Sequence, residues 1–304
     1  MPEKISIVLP TYNGGSCLSQ SVNSVLAQTH ADLELIVVDD GSTDGTAQTI
    51  NAISDPRLIF LQHPVNRGLP AALNTGFAQA SGEFLTWTSH DNLYVPYALS
   101  QLRESLSGGC DFVFSDYYSF ADNDLLSKEL VRLPENPQLA RNNTIGPCFL
   151  YHRRVMEALG DYDADAELAE DYDYWIRLAS RFKLRHVAEP LYYYRLSPNS
   201  LTTRRYSEVQ LVSCLLRLKH GLSGIAETER EIRAIIMQPI VKLRQLRQLA
   251  LSPAFYAQFH QPLLKIQEGT GSLQAVRKMF VDFIRRRWTL QNLARIASRI
   301  KQGS

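Results

Sequence analysis

Short apolar runs, each closed by a polar, glycine-rich turn and followed by residues at helical spacing, recur through the first eighty positions. Ile5-Ser-Ile-Val-Leu9 predicts a buried strand that Pro10 breaks, followed by the turn Thr11-Tyr-Asn-Gly-Gly15. From Ser16 to about Gln28, Leu18, Val22 and Val25 fall on one face of a predicted helix. Leu33–Val38 is a second strand, running into Asp39 and Asp40, a turn at Gly41 and a helix that Ser42, Thr43 or Asp44 can cap. Leu58–Leu61 is a third, after which Asn66–Gly76 opens another helix. Alternating strand and helix of this kind predicts an α/β fold with a parallel sheet. A fourth run, Phe84-Leu-Thr-Trp-Thr88, stops at Ser89-His-Asp-Asn92, and Asn92 and Pro96 argue against its continuation.

Further on, Asp111–Asp116 predicts a strand ending in an acid, and Gly146–Arg154 leads into a short helix before Gly160. Glu167–Ser180 has helical spacing, with Leu168, Tyr172, Trp175 and Leu178 or Ala179 on one face and Glu170 and Asp171 near its start. Asp163, Asp165, Glu167 and Asp173 are expected to be solvated charge. Beyond Arg204 only helical stripes remain: Val209 to Leu218, Ile232 to Leu251 interrupted at Pro239, and a basic stretch carrying Val276, Phe280, Ile284, Trp288, Ile296 and Ile300. The predicted division is therefore an α/β domain over 1–203 and a basic helical region over 204–304.

The chain of 304 residues is 45% hydrophobic, enough for a sizeable core. Its formal charge of +1 hides an asymmetry: residues 204–304 hold 18 Lys and Arg against 6 Asp and Glu, and residues 1–203 hold 14 against 25. The basic third is expected to face something anionic. Arg285-Arg-Arg-Trp288 has the composition of a helix lying on a membrane surface, with Phe280, Phe283 and Trp288 as inserting side chains; packing in the core or against a second subunit in a homo-oligomer accounts for the same stripe. Nucleic acid is not an expected partner, because no aromatic-basic platform accompanies the charge. Cys17, Cys110, Cys148 and Cys214 form no CxxC pair or regular framework. With no signal-like segment and no apolar run of membrane-spanning length, they predict reduced thiols in a cytoplasmic protein, peripheral on the membrane face if the basic stretch binds lipid.

Candidate chemistry gathers at the predicted strand ends, where ligands of open α/β sheets sit. Asp91 either closes its strand with an Asx turn or holds a hard divalent cation such as Mg²⁺ or Mn²⁺, for which one carboxylate plus substrate phosphates suffices. Asp39 and Asp40, side by side, repel unless each finds a partner. Arg67 and Gly68 suit an approach to phosphate oxygens, and Asn74 lies on the following helix where it can point to the same cleft.

Laid end to end, Ser6-Ile-Val-Leu-Pro-Thr-Tyr-Asn-Gly14, Val37-Val-Asp-Asp-Gly-Ser-Thr-Asp-Gly-Thr46, Asn66-Arg-Gly68, Ala80-Ser-Gly-Glu83 and Ser89-His-Asp-Asn92 closely resemble family 2 glycosyltransferases. The resemblance implies a GT-A fold, a Rossmann-like nucleotide-binding sandwich with a mostly parallel central sheet, over roughly residues 1–203. It implies an inverting enzyme that moves a sugar from a nucleotide-diphosphate donor, a UDP-sugar in the first instance, to a hydroxyl of a cell-surface glycan or lipid-linked acceptor, with Mn²⁺ or Mg²⁺ as cofactor. By position it assigns base and ribose contacts to Thr11, Tyr12 and Asp40, metal binding to Asp91 and a ribose contact to His90, although Ser89 and His90 stand where that family's motif usually has acids. Glu170-Asp171 matches the family's Glu-Asp pair, making Asp171 the base and Glu170 its orienting neighbour. In Leu191–Thr202, which resembles a closing loop, Arg195 or a hydroxyl would reach the diphosphate. Two other readings stand beside this one: a non-catalytic nucleotide-sugar-binding assembly protein, and a nucleotidyltransferase, for which a Gly-rich, Lys-containing triphosphate loop is missing.

Overall fold

The computed structural model describes residues 3–15, 17–121, 124–197, 200–237 and 253–282. The chain divides into two compact units, Met1–Ser200 and Leu201–Ser304. In the first unit, strands β1 (Ile5–Thr11), β2 (Leu33–Asp39), β3 (Leu58–Gln62) and β4 (Phe84–Trp87) alternate with helices α1 (Leu18–Leu26), α2 (Thr46–Asn51) and α3 (Leu69–Gln79). β1 pairs in parallel with β2 and β4, and β2 with β3, so all four carboxyl ends lie along one edge. β1 and β2 are buried at every position, as strands covered on both faces must be.

The sheet continues through β8 (Phe149–His152), antiparallel to β4, then β6 (Phe112–Ala121) and β9 (Leu184–Leu196), which are parallel to each other. The two-residue β5 (Leu93–Tyr94) closes the far edge, and β7 (Glu129–Val131) pairs with the outer half of β6. Leu9, Val22, Val25, Leu35, Val37, Leu99 and Leu150 belong to one buried cluster beneath this sheet. Full burial of each such side chain is worth about 1.5–3 kcal/mol.

Several boundaries differ from the predicted ones. Pro10 does not break β1: β4 ends at the register of Val8, so Pro10 has a sheet neighbour on the β2 side and its missing N–H leaves no gap in the ladder. Asp116 does not end its strand. It sits inside β6 at a register shift, 1% exposed, where its carboxylate accepts hydrogen bonds from His186 Nε2 (2.7 Å) and Leu133 N–H (2.8 Å). The segment resembling a closing loop is, up to Leu196, the end of β9.

The second unit is helical as described: α7 (Leu201–Arg204), α8 (Tyr206–Lys219), α9 (Ile225–Met237), a helix over Pro253–Gln267 and helical residues 273–282. α8 packs on α9 and on the Pro253–Gln267 helix, burying Val212, Leu215, Leu216 and Leu218. Its cations find acids, with Arg217 pairing Glu231 and both Arg205 and Arg277 meeting Glu208. Phe280, predicted to insert into lipid, is 1% exposed and Val276 is equally buried, so these two serve the unit's interior. Phe283, Arg285–Arg287 and Trp288 lie outside the described residues, as does the Pro239 interruption. No described helix is long and apolar enough to cross a membrane.

Candidate active site

The loops after β1, β2 and β3 are knitted together by polar groups, exposed between the first two loops and buried between the second and third. The Asn13 side chain accepts a hydrogen bond from Thr43 N–H, and Asn13 N–H donates to Ser42 Oγ, joining the first loop to the second. At φ +75°, Gly41 turns the chain tightly against the third loop, where a Cβ would lie 2.5 Å from the Val65 carbonyl carbon. Asp40, 4% exposed, completes the knot: Oδ1 accepts from His63 Nδ1 (2.7 Å) and Arg67 N–H (2.9 Å), and Oδ2 from Gly68 N–H (2.8 Å). His63 Nε2 lies 3.0 Å from Thr75 Oγ1 on α3. Three of roughly four acceptor positions on the Asp40 carboxylate are thus taken within the protein. Asp39 is equally buried, accepting from Ser42 N–H and Gln62 Nε2. Each adjacent acid has its own donors, which resolves the repulsion expected between them.

Thr11, 2% exposed, ends β1 with its Oγ1 unpartnered among the described residues, while Tyr12 stands 46% exposed at the rim. A Cβ on Gly14 would lie 2.4 Å from Thr11 Oγ1 and 3.5 Å from the His90 ring, so the first loop and the turn after β4 meet there. Burial lowers the pKa of His90 against the opposing pull of Asp91 and Asp44, which favours the neutral imidazole at pH 7.

That turn is held by its backbone. Ser21 Oγ donates to the Ser89 carbonyl, Arg195 Nε to the Asp91 carbonyl (2.8 Å), and Arg195 N–H to Asn92 Oδ1 (2.8 Å). Arg195 also donates to Gln20 Oε1 and lies over the Phe120 ring. It is 7% exposed, so rather than reaching outward to a diphosphate it braces the turn. The Asp91 carboxylate is half-buried and, among the described residues, has no hydrogen-bond or ion-pair partner. An acid left unpaired where its backbone is fixed fits a divalent cation that takes its remaining oxygens from phosphate and water. No group of three His, Cys, Asp or Glu suited to a metal occurs among the described residues.

Helix α6 (Glu170–Ala179) carries the second acidic group. It starts later than its periodicity predicts, because Leu168 has φ +87°, outside the helix and in a conformation costing a non-glycine residue about 1–3 kcal/mol. The Leu168 N–H donates to Glu170 Oε2 (2.9 Å). Glu170 is buried, and loss of hydration, with Asp171 beside it, pushes its carboxyl up to about 8. Both causes favour the protonated form of Glu170. Burial raises Asp171 too, opposed by hydrogen bonds from Tyr172 N–H (2.7 Å) and Asn143 Nδ2 (2.8 Å). Asp173, expected in solvent, is 0% exposed and paired with Arg177 at 2.8 Å, which in turn holds the Leu159 and Asp161 carbonyls.

Asn74 is tied to backbone: Nδ2 donates to the Tyr162 carbonyl and Oδ1 accepts from Tyr162 N–H, both at 2.9 Å. Tyr162 also accepts from Trp87 Nε1 at the end of β4 and stacks on Tyr174 of α6, with ring centroids 4.3 Å apart. Asn74 is thus a clamp between the strand-end loops and α6. Arg67 uses its backbone N–H on Asp40 and leaves its side chain exposed. His63 and Asn143 were not singled out by pattern. A histidine three residues ahead of Asn66-Arg-Gly68 was the available signal for the first; nothing local marks the second.

Residues 6–160, just over half the chain, match the family described as Glycosyl transferase family 2. The chain is 28% identical over 214 residues to the UDP-Glc:alpha-D-GlcNAc-diphosphoundecaprenol beta-1,3-glucosyltransferase WfgD of Escherichia coli, a match covering 68% of this chain and 82% of that one. It is 29% identical over 187 residues to an uncharacterised glycosyltransferase of Rickettsia typhi, covering 57% of this chain and 58% of the relative. Among solved structures it shares its fold with S. aureus TarS, at a TM-score of 0.59 and 17% identity over 93% of this chain and 91% of that one. TarS has also been solved with UDP-GlcNAc. A mannosyltransferase of Pyrobaculum calidifontis, solved with GDP-Man and Mn²⁺, matches at a TM-score of 0.55 and 16% identity over 88% and 87% of the two chains. A GT-A-like sheet, the strand-end motifs and the family match agree: the chain belongs to glycosyl transferase family 2.

Proposed function

We propose that the protein transfers a sugar from a UDP-sugar to a hydroxyl of a lipid-linked or polysaccharide glycan, with inversion at the anomeric carbon and with Mn²⁺ or Mg²⁺ held by Asp91. The observation that carries this reading is the contrast between two acids. Asp40 has three of its roughly four acceptor positions taken by loop donors, whereas Asp91 is fixed through its carbonyl and its carboxylate has no partner among the described residues. The one acceptor position left on Asp40 Oδ2 suits the single ring N–H of uracil; guanine presents an N–H and an amino group side by side and asks for two acceptors. WfgD is named for a UDP-Glc donor and a diphosphoundecaprenol-linked acceptor, and TarS was solved with UDP-GlcNAc, which supports the same choice.

In this reading Tyr12 offers an exposed ring to the base, Thr11 Oγ1 and His90 face the ribose, and Arg67 approaches the phosphates. The cation, when bound, neutralises charge developing on the diphosphate. Asp171 takes the proton of the acceptor hydroxyl as the new oxygen–carbon bond forms and the bond to the diphosphate breaks on the opposite face. Burial and the neighbouring Asp171 charge disfavour the ionised form of Glu170, which leaves the base role to Asp171. Titration calorimetry with UDP, GDP, CDP and dTDP, each in Mn²⁺ and in chelator, is expected to give metal-dependent binding of UDP at least about tenfold tighter than of GDP, the scale of one unmade polar contact at a buried site. Tighter GDP binding would move the donor class. UDP binding with no UDP-sugar hydrolysed would favour the non-catalytic assembly protein.

A further inference from the structure

We propose that Asn143 is a positioning residue for the catalytic base: its amide holds Asp171 Oδ2 and aims the carboxylate at the incoming acceptor hydroxyl. The inference rests on the reading of Asp171 as the base. Asn143 lies in the segment between β7 and β8, about thirty residues from Asp171 in sequence, and Nδ2 donates to Asp171 Oδ2 at 2.8 Å. The orientation of the amide is fixed from its other end, because Oδ1 accepts from Ile145 N–H at 3.3 Å. Flipping it would set an oxygen against a carboxylate and an amino group against an N–H.

The segment carrying Asn143 is tied on both sides of it. The Tyr172 hydroxyl, from the residue after the base, donates to the Leu139 carbonyl, and Leu139 is buried. Gln138 N–H donates to Thr144 Oγ1 at 2.8 Å, closing the segment on itself. With Tyr172 N–H on Oδ1 and Asn143 on Oδ2, neither carboxylate oxygen is left to rotate, yet each keeps acceptor capacity for a hydroxyl. Asn143 itself is exposed, so the donor sits at the open side of the base. The titratable groups facing the pair are acids and a phenol: Glu170 from α6, Glu167 from the preceding segment, acting on Glu170, and Tyr162 from the segment after α5 (Arg153–Leu159). Asn143 is the side-chain donor to Asp171 among the described residues, and its N–H favours the charged form that a base requires.

The test is the pH profile of UDP release from the UDP-sugar that the wild-type protein hydrolyses fastest, measured beside UDP affinity. Asn143→Ala is expected to lower kcat about tenfold or more, in line with a hydrogen bond to a charged group. Its acid limb should move to higher pH, because the carboxylate loses a donor that stabilises its charge, while UDP affinity and melting temperature hold. Asn143→Asp should move the limb further, and Asn143→Gln should recover part of the rate. An unchanged limb and kcat in Asn143→Ala, with Asp171→Asn inactive, overturns the role of Asn143 alone. A lower rate with an unshifted limb and weakened UDP binding would make it a structural residue. Near-normal turnover in Asp171→Asn overturns the base assignment and this inference with it.

Discussion

Asp171→Asn should bind UDP as the wild-type protein does and transfer sugar at least about 100-fold more slowly, the usual loss when a general base is removed. The substitution keeps the shape of the side chain and removes the charge. The strand-end loops have donors of their own: His63, Arg67 N–H and Gly68 N–H hold the Asp40 carboxylate, and Arg195 holds the 88–92 turn. The neighbouring Glu170 should become easier to ionise, because one cause of its raised pKa is the charge at Asp171. Glu170 is accordingly the residue to examine next if turnover survives. The measurement is UDP release under saturating donor, paired with calorimetry of UDP in Mn²⁺. Equal rates for variant and wild type would place the base elsewhere.

Asp91→Asn is expected to abolish the metal-dependent part of donor binding, a loss of about 100-fold or more in Mn²⁺ if the cation contributes several kcal/mol. The fold should survive, since the side chain has no protein partner among the described residues and the turn is carried by Arg195 on the Asp91 carbonyl and by Asn92. Wild-type protein should bind UDP more tightly in Mn²⁺ than in chelator; the variant should bind it equally in both. A variant that keeps the full metal increment would sink Asp91 as the ligand.

The parallel half of the sheet was legible because its signal is local. Four apolar runs ending at Thr11, Asp39, Gln62 and Trp87 lie side by side, and the acids at their ends fall on one edge. What those acids do there was less legible, because adjacent carboxylates look alike in sequence and differ only in which N–H groups reach them. Asp39 and Asp40 turn inward; Asp91 does not. Asn74 was placed at the cleft by its helix and Arg195 by the resemblance, yet both hold backbone, at Tyr162 and Asp91, through contacts that cross 88 and 104 residues. Asp116 and Asp173 show the same limit: the acid read as the end of its strand is buried against His186, and the one read as solvated charge is buried against Arg177. Leu168 counted towards a helical stripe that its backbone never joins.

Inversion by a single displacement is the central claim, and the anomeric proton of the released sugar tests it most directly. With enzyme concentrated enough to hydrolyse an α-linked UDP-hexose faster than the free sugar equilibrates, proton NMR should show the β-anomer first, because water takes the acceptor's place opposite the diphosphate and gives its proton to Asp171. Appearance of the α-anomer first would contradict that account.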